Sequence, residues 1–268
     1  MKRMHITIIA LLAVSLILLG VAGGVRLLAK DSTLPVIECS QQELRVSTQD
    51  GSDALLQGVT AHDDKDGDLT GSIVVEQITG TGTPGTVTVT YAVADSDHHV
   101  ASCSRTVTYT DYVSPRFSLS APLIYEVGEV LQVRDRLGAN DMIDGSLKDR
   151  IKISASTLST NYVGSFPITM EVTNSLGDTA SLTLDLVVRD TSRNAPEIKL
   201  KQYLVYVTRT ADFDPMTYVD NSSDDAEYGA VTAYMPEEGL RRGVNQVTYS
   251  RTSIMGQTGT TTLYVIVE

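Results

Sequence analysis

The chain predicts an all-β architecture, three tandem antiparallel β-sandwich domains behind one N-terminal transmembrane helix. Three observations carry that reading. A hairpin-sized stretch recurs three times at constant spacing, and each copy alternates apolar and polar residues with the period of a strand. An uncharged apolar run also stands near the start of the chain.

The recurring stretch is GTVTVTYAVADSDHHVASCSRTVTYTD at residues 85–111. It returns 79 residues on as GSFPITMEVTNSLGDTASLTLDLVVRD, and 79 further on as GVNQVTYSRTSIMGQTGTTTLYVIVE. Val87, Val89, Tyr91 and Val93 alternate with Thr86, Thr88, Thr90 and Ala92, and Phe166, Ile168, Met170 and Val172 take the same offsets in the second copy. Alternation of β-branched and aromatic residues with polar ones marks a strand with one buried face. The third copy keeps Val247 and Tyr249 but places Asn245 and Arg251 at flanking inward positions, so looser packing is expected there. ADSDHH and TNSLGD between the strands have the composition of tight turns. A period of this length exceeds a solenoid unit and suits a small domain. The chain therefore divides into a cytoplasmic stub with a signal-anchor helix (residues 1–30) and three repeats at 31–111, 112–190 and 191–268, the last divergent.

Hydrophobic residues make up 42% of the chain, but there is no Trp and there are only three Phe. The cores must be built from Val, Ile, Leu and Tyr. The net charge of −12 repels phosphate backbones and argues against nucleic acid as a partner.

Lys2 and Arg3 precede an uncharged run from Ile6 to Val25. A helix of that length spans about 30 Å, the thickness of the hydrocarbon core. A cleaved signal peptide is the alternative, with Ala22, Gly23 and Gly24 at the cleavage site, but the apolar run is longer than a usual signal core. The expectation is a single-pass protein of the cell membrane, with the amino terminus inside and the C-terminal region extracellular.

Each repeat opens on an Asp-to-Pro joint: DSTLP, DYVSP and DTSRNAP. Proline fixes φ and pushes its predecessor into extended geometry, which makes the joints stiff. An alternating strand follows each one, through Ile37 and Cys39, Phe117 and Leu119, and Ile198 and Leu200. Cys39 and Cys103 both fall at inward positions of the first repeat. In an exported domain they suggest a disulfide, worth roughly 4 kcal/mol for so long a loop; two buried free thiols are the alternative.

A second signal precedes the hairpin. AHDDKDGDL at 61–69 and ANDMIDGSL at 139–147 both fit A-x-D-x-x-D-G-x-L, and Asn221 and Asp224 keep part of it in the third copy. Together with GTVTVTYAVAD and the Asp-to-Pro joint, this resembles the bacterial immunoglobulin-like (Ig-like) surface repeats, related to hyalin-type repeats and to the Ig-like modules of some pesticidal crystal toxins. The resemblance covers about residues 31–268 and fades in the third repeat. It implies Ig-like sandwiches strung along cell-surface proteins, in spacer, adhesion or ligand-binding roles, with no catalytic residues to carry over.

Asp64, Asp66 and Asp68 have the spacing of calcium ligands, but the glycine and the distant Glu of an EF-hand loop are misplaced, with Val75 where the Glu belongs. The alternative is structural: Asp63, Asp66 and Gly67, with Asp141, Asp144 and Gly145, shape a turn by accepting its backbone N–H groups. Calcium is the only cofactor candidate. The G-x-G-x-x-G at 80–85 is followed by a strand pattern, which excludes the nucleotide fingerprint. His62, His98 and His99 read as solvated turn and strand residues, and Asn221 opens a formal glycosylation sequon. There is no H-E-x-x-H, C-x-x-C or G-x-S-x-G motif, so no enzyme is expected. The expected function is a membrane-anchored surface module for adhesion, recognition or spacing. The alternative is a carbohydrate- or cell-wall-binding protein, for which Tyr203, Tyr206, Tyr218, Tyr228 and Tyr234 supply the one concentration of aromatics. The polar run at 212–226 reads first as drift in a terminal capping repeat, with a ligand-facing loop as the alternative.

Overall fold

The computed structural model describes residues 13–21, 33–155, 158–190, 195–220 and 228–268. Residues 13–21 are helical and exposed. The ends of the apolar run, Ile6 and Val25, lie outside the described residues, as do Asn221 and Asp224. Among the described residues no helix is long and apolar enough to cross a membrane.

The rest of the described chain is β-structure in two compact units, one within Met1–Thr81 and Thr86–Asp111, the other within Gly82–Gly85 and Tyr112–Glu268. In the first, β1 (Val36–Cys39), β3 (Val59–Asp63) and β4 (Gly67–Asp68) form one antiparallel sheet in the order β1-β3-β4. A four-stranded sheet faces it, made by β2 (Glu43–Val46), β5 (Val74–Gly80), β6 (Thr86–Ala94) and β7 (Val100–Tyr109) in the order β2-β7-β6-β5. The alternation in the sequence explains the packing. Val87, Val89, Tyr91 and Val93 are buried, with Val59, Ala61 and Ile73 among the buried residues that complete this core. Cys39 and Cys103 form a disulfide, Cα atoms 6.8 Å apart, which ties β1 in one sheet to β7 in the other.

The second unit holds the other two repeats. β8 (Arg116–Leu119), β10 (Leu137–Asp141) and β11 (Gly145–Ser146) form one sheet; β9 (Ile124–Glu126), β12 (Lys152–Ala155), β13 (Gly164–Thr173) and β14 (Thr179–Arg189) form the other, in the order β12-β13-β14-β9. The last repeat has one four-stranded sheet, β15 (Leu204–Val207), β18 (Thr258–Val267), β17 (Gly243–Thr252) and β16 (Thr232–Tyr234), in the order β15-β18-β17-β16. Opposite it, an isolated bridge joins Leu200 and Val219.

The sandwiches are not wholly antiparallel, as the sequence suggested. β2 runs parallel to β7, β9 to β14, and β15 to β18. The cause is a strand switch. In the first repeat the chain leaves β1 after Cys39, crosses between sheets without reversing, and reaches the last strand travelling in the same direction.

The expected looseness of the third repeat is also corrected. Val247, Tyr249, Leu263, Tyr264 and Val265 are at most 2% exposed. Asn245 is buried but fully engaged: its Nδ2 donates to the carbonyls of Arg241 (2.6 Å), Gly243 (3.0 Å) and Val265 (3.3 Å). Arg251 Nε donates to the Gly229 carbonyl at 2.7 Å, and its guanidinium lies 5.2 Å from the Tyr228 ring centre. Asn245 and Arg251 are tolerated there because each finds a backbone partner.

Repeats two and three share one contiguous buried cluster. The Phe117 N–H donates to the Tyr206 hydroxyl at 2.9 Å, Arg189 Nη1 donates to the Thr260 carbonyl at 2.9 Å, and the Tyr264 hydroxyl donates to the Asp185 carbonyl. These hydrogen bonds tie the second repeat to the third.

Candidate functional site

The two acidic turns are built alike. Asp63 ends β3 and is buried, and its Oδ1 accepts the backbone N–H groups of Lys65 and Asp66, each at 2.9 Å. Asp141 ends β10 and does the same for Ile143 and Asp144, each at 2.9 Å. Gly67 and Gly145 follow at φ 75° and 69°, the left-handed region that a side chain would strain. A carboxylate can reach amides two and three residues on, so this part of the site is local.

The second aspartate of each turn reaches further. Asp66 accepts the N–H (2.7 Å) and the hydroxyl (2.9 Å) of Ser96 at the tip of the β6–β7 hairpin. Asp144 accepts the same two groups of Ser175, at 2.7 and 2.6 Å, and pairs with Arg150 at 2.6 Å. Burial opposes ionisation of Asp144. The Ser175 hydrogen bonds, with Arg150 behind them, outweigh it and hold the carboxyl below the usual carboxylate range.

The tips share the serine but differ at the residue before it. Asn174 Nδ2 donates to Asp141 Oδ2 at 3.1 Å and to the Tyr112 hydroxyl at 2.8 Å, and that hydroxyl donates to Asp178 at 2.7 Å. The first repeat has Asp95 in place of Asn174. A carboxylate cannot donate, and Asp63 Oδ2 is left buried without a hydrogen-bond partner. Asp95 turns to His99, accepting its N–H at 2.8 Å and meeting its Nδ1 at 2.6 Å. Burial raises the Asp95 pKa, and the His99 contacts more than reverse that.

Of the calcium candidates, Asp66 is taken up by Ser96, Asp68 accepts the Thr70 N–H at 2.9 Å, and Asp64 is exposed. Among the described residues no group of three acidic, His or Cys side chains could hold a metal. His62 is exposed on β3, and His98 sits at the hairpin tip at φ 73°. The glycine-rich 80–85 stretch joins β5 to β6, two antiparallel strands.

Among the described residues, two of the cavities in the second unit bear on the sequence candidates. One, of about 340 Å³, is lined by Ile124, Glu126, Arg189, Glu197, Tyr203 and Thr260 among others. Its Arg189 is already paired with Glu126 at 3.0 Å. The other, of about 260 Å³, is lined by Tyr206, Val207, Thr208, Arg209, Asp212, Phe213 and Tyr218. The structure thus brings together two of the five tyrosines singled out in the sequence. Tyr203 is buried, its hydroxyl accepting from the Leu200 N–H at 3.2 Å, Tyr228 lies beside Arg251, and Tyr234 is exposed on β16. Sequence reasoning missed Arg209, and it reached Asp212 and Phe213 only as part of the polar run at 212–226. The one available signal was a rare Phe inside an otherwise polar run.

Residues 42–109 match the family described as bacterial surface protein, Ig-like domain. This stretch is a bacterial surface Ig-like module. No curated protein matches the chain. Among solved structures, the CBM51-2 and INT domains of Clostridium perfringens ZmpB in complex with GlcNAc are similar at 20% identity and a TM-score of 0.24, over 60% of this chain and 44% of that one. Mouse cadherin-23 EC22-24 is similar at 14% identity and a TM-score of 0.21, over 88% and 99%. The lipoprotein BT2262 of Bacteroides thetaiotaomicron is similar at 11% and 0.21, over 86% and 99%. The chain spans less than half the length of the Clostridium perfringens structures it resembles.

Proposed function

We propose that the chain is a surface recognition protein held at the cell membrane by the apolar run from Ile6 to Val25, with Ig-like modules at 31–111, 112–190 and 191–268 presented outside the cell. The match of residues 42–109 to bacterial surface Ig-like domains carries this reading. The Cys39–Cys103 disulfide supports it, since such bonds persist in oxidising compartments. The hairpin clamps support a binding rather than a catalytic role: they lock loops to strands by engaging the acidic side chains that could otherwise do chemistry. Binding to a partner at the surface, by adhesion or recognition, is the activity.

The test is topological. Protease added to intact cells should remove residues 33–268, and alkaline carbonate should leave the protein in the membrane pellet. Full protection of the C-terminal region, or release by carbonate, would overturn the reading.

A further inference from the structure

The cleft in the third repeat has features that the fold does not need. The chain leaves β15 at Val207 and passes through two single 3-10 turns, Thr210–Asp212 and Pro215–Tyr218. Both are anchored. Phe213 N–H donates to the Thr210 carbonyl at 3.3 Å in the first. In the second, Asp214 Oδ1 accepts the Met216 N–H at 2.9 Å, and the buried Tyr249 hydroxyl donates to the Pro215 carbonyl at 2.7 Å. The backbone of these turns is therefore held in place around the cleft.

Its walls are aromatic. Phe213 and Tyr218 stack with ring centres 5.6 Å apart and planes 24° apart. Tyr206 is pinned from behind: its hydroxyl accepts from Phe117 N–H, and the Arg116 guanidinium lies 4.8 Å from its ring centre. The rim is polar. Arg209 and Asp212 are exposed, and among the described residues neither side chain pairs with the other or with any third group.

We propose that this cleft binds one neutral pyranose ring of a surface saccharide. This inference rests on reading the chain as an extracellular recognition protein and names the ligand class that such a protein takes here. A pyranose has an apolar face of C–H groups and a rim of hydroxyls. The aromatic walls match the first. On the second, a carboxylate accepts from two neighbouring hydroxyls and a guanidinium donates a fork of N–H groups. Rigid rings and anchored turns keep the entropy cost of binding low. The cavity of about 260 Å³ lies below the ~300–1,000 Å³ of sites for drug-sized ligands, which limits the occupant to a single small ring. The net charge of −12 disfavours polyanionic glycans and selects a neutral sugar.

The test uses the full chain in mild detergent, with glucose, galactose, mannose and N-acetylglucosamine as free probes and alanine as a zwitterionic control. Saturation-transfer difference NMR and calorimetry should detect at least one pyranose at millimolar affinity. The double variant Arg209→Ala/Asp212→Ala should weaken that binding about tenfold or more, with thermal unfolding unchanged because both side chains are exposed and, among the described residues, unpaired. Phe213→Leu should also weaken it. The proposal is overturned if no pyranose binds, if alanine binds and sugars do not, or if the double variant binds as the parent does. Failure here is separable from failure of the surface reading. A protease-accessible chain that binds no sugar sinks the site alone, and a protease-protected chain that binds sugar sinks the location alone.

Discussion

Ser175 donates both its backbone N–H and its hydroxyl to the carboxylate of Asp144, 31 residues earlier. Ser96 does the same to Asp66 across 30 residues. In these two repeats one aspartate shapes the acidic turn and the next fastens that turn to the hairpin tip.

Asp144→Ala should lower the stability of the second unit by about 2 kcal/mol, since it removes charge-assisted hydrogen bonds from a half-buried carboxylate and leaves the Ser175 groups unpaired. Urea unfolding of the full chain, with hydrogen exchange read at β13 and β14, measures it. Unchanged protection of those strands would show that the clamp is incidental.

The same carboxylate gives a pH dependence with a definite sign. Its pKa is depressed in the folded chain, so its contribution is complete above the unfolded carboxylate range and is lost as pH falls through the lower folded value. The gap in melting temperature between the parent and Asp144→Asn should be full near pH ~6 and should close below about pH 4. A gap that widens on acidification would contradict the assignment.

Reduction of Cys39–Cys103 should act on the first repeat alone. The bond closes a sequence separation of 64 residues, and its loss should cost about 2–5 kcal/mol there. Hydrogen exchange before and after a phosphine reductant should show β6 and β7 losing protection while β17 and β18 keep theirs.

Two tyrosines at the same repeat position should respond unequally to losing their hydroxyl. The Tyr91 hydroxyl donates to the Leu55 carbonyl at 2.5 Å and accepts from the buried Arg105 Nε at 3.0 Å. Arg105 Nη1 already lacks a hydrogen-bond partner. Tyr91→Phe leaves that buried cation shorter of hydrogen bonds and should cost about 2–3 kcal/mol. Tyr249→Phe frees only the Pro215 carbonyl and should cost about 1 kcal/mol. Denaturant midpoints of the two variants decide it.

By itself, the sequence determined the elements whose cause is local. Alternation through Val87, Val89 and Tyr91, and through Ile168 and Met170, states which face of a strand is buried, because successive side chains point to opposite sides. The turn roles of Asp63 and Asp141 were legible for the same reason, since a short carboxylate reaches amides only two or three residues on. Only the tertiary structure decided the partners. β2, β9 and β15 crossed to the far sheet and ran parallel there, Ser96 and Ser175 closed on aspartates about thirty residues away, and Asn245 and Arg251 found backbone acceptors that made their burial tolerable. Tyr206, Tyr218 and the run from Asp212 were legible as candidates, but their meeting with Arg209 in one cleft was not. Hydrophobic periodicity records how deeply a side chain is buried. Which distant group it meets depends on how whole strands are stacked, and no short stretch of chain encodes that.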